Sequence, residues 1–294
     1  MNKKQIIEMS AGIILWMLGV VMVGVLVVVT GRDSNQQLTD EGTLQPEGVM
    51  NTDEDLQADG LLNTDENLQA EEQEPTQAAA ASVQIDPKTA YLTYDDGPSY
   101  LTPKVLDVLD EYGVKATFFV TYQPDYADLY QEIVDRGHAI GVHSASHEYD
   151  EIYASFDNWL ADFTKMYDYI YEQTGVYPTV YRFPGGSYGD PCQSNPDVLE
   201  QAAAYLESKG MVYFDWNVTC GDGGYVSVYD AYKNVVDNIQ PRHLPVIIMH
   251  DGVQKENTLA ALPDVLKQLQ EWGYTFETLS PQVPPIHQGS TWDY

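Results

Sequence analysis

The sequence predicts an α/β fold whose parallel strands close, or nearly close, into a barrel. Seven strand-like apolar runs alternate with helical patterns between about Pro87 and Tyr294, the rhythm of βαβ units. That stretch of about 208 residues suits one well-buried domain. Ionisable residues also recur at the carboxyl ends of the runs, where α/β folds collect ligands. An open doubly wound sheet obeys the same rule, but so many right-handed parallel crossovers in succession favour the barrel.

The expected strands are Tyr91 to Tyr94, Ala116 to Val120, Ala139 to Val142, Val180 to Phe183, Met211 to Phe214, Val246 to Met249 and Tyr274 to Leu279. The first helix follows Pro103, carries apolar residues at Val105, Leu106, Val108 and Leu109, and stops at Gly113, a helix-ending signal. Further helices are expected at about 126–136, 155–173, 196–209, 229–239 and 258–272.

Ahead of this domain, residues 11–30 are uncharged and mostly apolar, about the 20 residues a helix needs to span a bilayer. Lys3 and Lys4 precede the run, so residues 1–10 are expected in the cytoplasm and everything after Thr30 outside the cell. The run exceeds a secretory apolar segment and no A-x-A site follows it, which favours a retained single-pass signal anchor over a cleaved leader. Residues 31–86 hold fourteen acids and one base, Arg32, a composition that cannot bury enough apolar surface to fold. T-D-E recurs there at Thr39, Thr52 and Thr64. Such a disordered acidic stalk is expected to act as an extended spacer, or to have grown by duplication without a selected length.

Asp95 and Asp96 end the first strand in T-Y-D-D-G-P, and His143 and His147 follow in H-S-A-S-H. One carboxylate and two imidazoles from Asp96, His143 and His147 form a donor set that holds a divalent ion such as zinc and leaves a position open for water. Asp95 is then free to serve as a base. Singly, D-D-G-P reads as a solvated turn and an H-x3-H pair as incidental. Together they sit where Arg182, the Pro184-Gly185-Gly186 turn, Asp215 with Trp216, and His250 with Asp251 also end strands.

T-Y-D-D-G-P, H-S-A-S-H, R-F-P-G-G from Arg182 to Gly186, Asp215-Trp216 and Ile248-Met249-His250 resemble the five motifs of the polysaccharide deacetylase family, carbohydrate esterase family 4 with its NodB-homology domain. The resemblance runs from about Ile85 to Pro281. It implies a distorted (β/α)7-type barrel over residues 87–294, a divalent metal, zinc with cobalt or nickel as alternatives, and hydrolysis of an acetyl group from an N-acetylated, sometimes O-acetylated, sugar polymer. By the same resemblance Asp95 is the general base and Asp96, His143 and His147 are the metal ligands. His250 is the general acid, Arg182 orients Asp95, Asp215 pairs with His250, Trp216 walls the pocket, and Ile248 lines the slot for the acetyl methyl. The third motif departs from the R-P-P-Y of the best-known members: Phe183 stands at the first proline and Gly185 at the aromatic. The Gly185 N–H is still able to donate to an oxyanion, and Tyr188 is the nearby substitute for the aromatic wall.

His138, His243 and His287 are expected to be ordinary surface or helix-end residues, and Asp222 and Asp251 to stand behind the site. Cys192 and Cys220, the only cysteines, fall in loops outside the membrane, where a disulfide forms readily, with two separate buried thiols as the alternative. The formal net charge of −31 argues against nucleic acid and against binding an anionic polymer by charge. Neutral sugar rings remain compatible with it, and 22 tyrosines offer aromatic faces. A tethered, outward-facing, monomeric deacetylase is placed to act on N-acetylglucosamine in peptidoglycan. Chitin-type oligomers, poly-N-acetylglucosamine, O-acetylated xylan and a catalytically silent glycan-binding module are the alternatives.

Overall fold

The computed structural model of the chain describes residue 86, residues 88–240 and residues 242–289. The expected cytoplasmic stretch 1–10, membrane span 11–30 and acidic stalk 31–86 lie outside the described residues, Asp86 excepted. Among the described residues no helix is long and apolar enough to cross a membrane.

Eight parallel strands form the sheet: β1 (Thr89–Asp95), β2 (Thr117–Thr121), β3 (Ala139–Ser144), β4 (Val180–Tyr181), β5 (Val212–Tyr213), β6 (Val218–Thr219), β7 (Val246–His250) and β8 (Thr275–Phe276). Their order is β5-β4-β3-β2-β1-β7-β6, with β8 beside the start of β1. The sheet curls without a ladder between β5 and β6 among the described residues, a partly open barrel as expected. The seven expected strands are all present, and β6 is an addition, too short at two residues to leave a period in the sequence.

The helices α1 (Thr102–Glu111), α2 (Ala127–Asp135), α4 (Phe156–Thr174), α6 (Pro196–Ser208), α7 (Val228–Ile239) and α8 (Glu256–Glu271) cover the outside. Short helices α3 (Tyr149–Ile152) and α5 (Asp190–Gln193) were not legible. Local chemistry accounts for the long helices' ends. The Ser155 hydroxyl accepts from the Asn158 amide at 3.2 Å and that of Ser227 from the Asp230 amide at 3.1 Å, satisfying amides that a helix start leaves bare. Gly175 ends α4 at φ +69°, a left-handed turn that glycine takes without cost.

The period of two sorts the strands into two packing layers. Ala90, Leu92 and Tyr94 face outward with Phe118, Val120, Ile140, Val142 and Tyr181 under the helices. Tyr91, Phe119, Val180, Phe214 and Val246 fill the inside, where Leu279, Val283 and Ile286 of the C-terminal segment close it off. Each of these side chains stabilises the fold by about 1.5–3 kcal/mol when fully buried. Gly141 is required in this layer: a Cβ there would meet Phe119 and Val180 at 2.8 Å. Further along the same inner parity stand Asp95, His143, Arg182 and Ile248, then His250. Alternation thus carries the apolar plug upward into a polar mouth.

The expected disulfide is not formed. Cys192 and Cys220 are separate, buried, free thiols. Cys192 lies beside Tyr153 and Cys220 beside Asp222, and burial pushes the Cys192 thiol up to about 12 and raises Cys220 as well.

Candidate active site

A cavity of 360 Å³ opens at the carboxyl ends of the strands, bordered by Asp95, Asp96, His143, His147, Gly185 and His250. Trp216 and Ile248 line it as expected, joined by Tyr149, Thr219, Gly223 and Lys255, which sequence reasoning missed.

Asp96, His143 and His147 converge. Their ligand atoms all lie within 4.8 Å of one another; Asp96 Oδ1 is 3.5 Å from His143 Nε2 and 3.3 Å from His147 Nε2. That oxygen is buried and accepts no hydrogen bond, an expensive state for a carboxylate unless a cation completes it. His143 Nδ1 donates to the Arg182 carbonyl at 2.8 Å, which turns the lone pair of Nε2 toward Asp96. The donor set fits a divalent cation. Although burial opposes it, the three imidazoles hold Asp96 well below the usual carboxylate range.

The backbone is bent to make this possible. Asp96 has φ +70° and His147 φ +58°, left-handed conformations that cost non-glycine residues on the order of 1–3 kcal/mol. For His147 the strain is held by a clamp from α4: Asp162 accepts from the Ser144 hydroxyl at 2.7 Å and from the Ala145 and Ser146 amides at 2.9 and 2.7 Å. The Ser144 oxygen in turn accepts from the His147 amide at 2.8 Å. Asp162 therefore holds the turn that leaves β3 after His143 and carries His147, a role with no signal in the linear pattern because it arrives from the helix face sixteen to eighteen residues later.

Asp95 stands on the inner wall, 2 % exposed. The Arg182 guanidinium donates to its Oδ1 at 2.8 Å and to Thr93 Oγ1 at 2.6 Å. Arg182 is fully buried and spends its other N–H groups on the carbonyls of Phe214 and Asp215, both at 2.9 Å. Asp95 thus stays fixed with one oxygen committed and the other toward the cavity, 3.9 Å from His143 Nε2.

His250 faces the metal-type cluster from the opposite side, its Nε2 4.0 Å from Asp96 Oδ2. Its partner is Asp222. Asp222 Oδ1 lies 2.7 Å from His250 Nδ1, and Oδ2 accepts from the His250 amide at 2.9 Å and the Thr258 hydroxyl at 2.8 Å. Burial alone would lower the imidazole pKa; the hydrogen bond and charge of Asp222, with Asp95 and Asp96, outweigh it and raise His250 to about 9.

Residues 82–204 match the polysaccharide deacetylase family. The chain is 32% identical over 209 residues to a putative polysaccharide deacetylase of Bacillus subtilis, covering 68% of this chain and 70% of that one. The chain belongs to the polysaccharide deacetylase family. A peptidoglycan-N-acetylglucosamine deacetylase of Bacillus cereus is 30% identical, over 65% of this chain and 68% of that one. Among solved structures, the catalytic domain of a peptidoglycan N-acetylglucosamine deacetylase from Eubacterium rectale superposes with a TM-score of 0.68 at 38% identity, covering 72% of this chain and 97% of that one.

Within this polysaccharide deacetylase domain three expectations need correction. Asp215 does not pair with His250. Its carboxylate accepts from the Ser187 amide at 2.8 Å, from the Ser187 hydroxyl, and from the Gln288 amide at 2.8 Å. It braces the R-F-P-G-G loop against the C-terminal segment, while Asp222, reached by the chain after β6, takes the place beside His250. Tyr188 does not wall the cavity: it is 62% exposed, with its ring against Gly289. The aromatic walls are Trp216 and Tyr149, whose ring lies 5.1 Å from that of His147. His138 follows α2 as expected but is buried, its Nδ1 accepting from the Ala116 amide at 3.1 Å. Asp251 does stand behind the site, receiving hydrogen bonds from the Thr102 and Ser99 hydroxyls beneath the D-D-G-P turn, both at 2.5 Å. Gly185 borders the cavity at φ +80°, and Phe183, where a proline was the family pattern, is buried against Tyr181 and Tyr213.

Proposed function

We propose that the domain hydrolyses the acetamide of N-acetylglucosamine units in peptidoglycan, releasing acetate and leaving the free amine. The observation that carries this reading is that one cavity is bordered on one side by Asp95 held by Arg182, on the other by His250 held by Asp222, and between them by Asp96, His143 and His147.

Asp96, His143 and His147 would hold a divalent cation, zinc first among candidates. When bound, it supplies Lewis acidity to the acetamide carbonyl and lowers the pKa of water. Asp95 takes the proton of the attacking water, its orientation fixed by Arg182. The Gly185 N–H donates to the oxygen that gains charge, a contact whose removal typically costs about 3 kcal/mol. As the carbon–nitrogen bond breaks, His250 gives its proton to the departing amine, and Asp222 keeps the imidazole charged and oriented for that transfer. Trp216 and Ile248 surround the acetyl group with apolar surface.

The peptidoglycan assignment is supported by its relatives named as peptidoglycan N-acetylglucosamine deacetylases and by the expected setting of the chain: a helix at 11–30 fixed in the membrane, a stalk at 31–86, and a monomeric domain outside the cell. Full-length protein supplied with zinc and incubated with peptidoglycan and with chitin oligomers is expected to release acetate from peptidoglycan. Tight binding to either glycan without acetate would leave a silent glycan-binding module instead. Recovery of the domain in the soluble fraction, trimmed near Thr30, would rule out the permanent anchor.

A further inference from the structure

The active-site cavity meets a second cavity of 230 Å³, and Asp96, His147 and Lys255 border both. Lys255 is the only lysine or arginine on the walls of either. It sits in the loop between β7 and α8, five residues after His250, and its ammonium donates to the backbone carbonyl of Asp222. That contact uses one of three N–H donors and places the charge at the junction.

Its place on the cavity wall sets this lysine apart, not its lack of an acid partner, which Lys165 and Lys209 share. Residues 87–294 carry thirty acids against eleven bases, and Lys115, Arg136, Arg182 and Lys233 each pair with a carboxylate. Among the described residues no carboxylate lies within ion-pair distance of Lys255. Two N–H donors remain beyond the one given to the Asp222 carbonyl, on a side chain that lines both cavities.

We propose that Lys255 binds a carboxylate carried on the sugar unit next to the one whose acetamide lies over Asp96, His143 and His147, so that acid-bearing glycan strands are selected over uncharged N-acetylated oligomers. This rests on the deacetylase reading and narrows its substrate class. The carboxylate has two sources in peptidoglycan, the lactyl ether of the muramic unit and the stem peptide attached there.

The test compares three substrates: glycan strands with the stem peptide removed and the lactyl carboxylate free, the same strands methyl-esterified, and an uncharged N-acetylglucosamine oligomer. The full-length enzyme is expected to favour the free carboxylate over its ester. Lys255→Gln is expected to raise KM for the free-acid strand by roughly tenfold, the range of a charge-assisted hydrogen bond, and to erase the preference, with Lys255→Arg restoring much of it. A loss of kcat shared equally by all three substrates in Lys255→Gln would overturn the proposal, since it would mean that Lys255 acts only through the Asp222 carbonyl. With strands bearing intact stem peptides added as a fourth substrate, a preference seen only there would support recognition but assign it to the peptide carboxylate. Acetate from all three at equal efficiency would sink the role of Lys255 alone, whereas acetate from none would sink the reaction beneath it.

Discussion

The carboxylates around the cavity are treated in two opposite ways. On one side of that comparison Asp95 and Asp222 are partnered: Arg182 holds one oxygen of the first, and His250 and Thr258 hold the second. On the other, Asp96 keeps a buried oxygen without a hydrogen bond, on a backbone bent into the left-handed region. A fold tolerates an orphaned buried acceptor and a strained residue only where something else compensates. The contrast separates groups that handle protons, which need fixed internal partners, from groups that wait for a ligand.

The largest effect should come from the waiting side. Removing two donors with a His143→Ala, His147→Ala double variant is expected to abolish metal content and acetate release together; full metal occupancy by elemental analysis would break the comparison. On the partnered side, Asp95→Ala or His250→Ala should each lower turnover by roughly 10² to 10⁴ with metal retained.

The two aspartates that compete for His250 sharpen it further. Asp222→Asn is expected to lower kcat by roughly 10²-fold through the imidazole. Asp215→Asn should mainly destabilise the fold, by about 1–3 kcal/mol, because it disturbs a buried acceptor of three hydrogen bonds. Urea midpoints and kcat measured on both variants decide, and the reverse pattern would return Asp215 to His250.

Asp162 predicts a graded effect between the two sides. Asp162→Ala frees the turn that follows His143 and carries His147, and should weaken metal binding by roughly 10- to 100-fold, read by chelator competition, with activity recovered at excess metal. Unchanged affinity would show that the loop holds its shape alone.

The smallest effect lies outside the cavity. Burial, with Lys115 adding to it, lowers buried His138 from 6.5 to about 4, so the unfolded chain takes up this proton at a higher pH than the folded one. Stability is then independent of this group above about pH 7, falls as pH drops from 6.5 toward 4, and levels off below. His138→Asn, which keeps an acceptor for the Ala116 amide, should flatten that slope in urea titrations across this range.

Much of this arrangement could be read along the chain. T-Y-D-D-G-P and H-S-A-S-H announced Asp96, His143 and His147 because strand ends and loop starts are local events. Arg182 beside Asp95 was what the family resemblance implied. Tyr149, Lys255 and Asp162 could not be read, since a tyrosine, a lysine and an aspartate on or beside helices carry no mark of which loop they will meet. Two expected partners failed for the same reason: Tyr188 turned to Gly289, and the two thiols settled in separate buried environments.

The sequence by itself determined the alternation of strands and helices and the inward parity that lifts Asp95, His143, Arg182 and His250 into one mouth, because a period of two along a strand is a property of the backbone. Only the tertiary structure decided that Asp222, and not Asp215, stands beside His250. Both follow a strand, and the choice depends on the path of a loop after β6 and on Ser187 and Gln288 claiming Asp215 first, contacts between distant segments that no local pattern encodes.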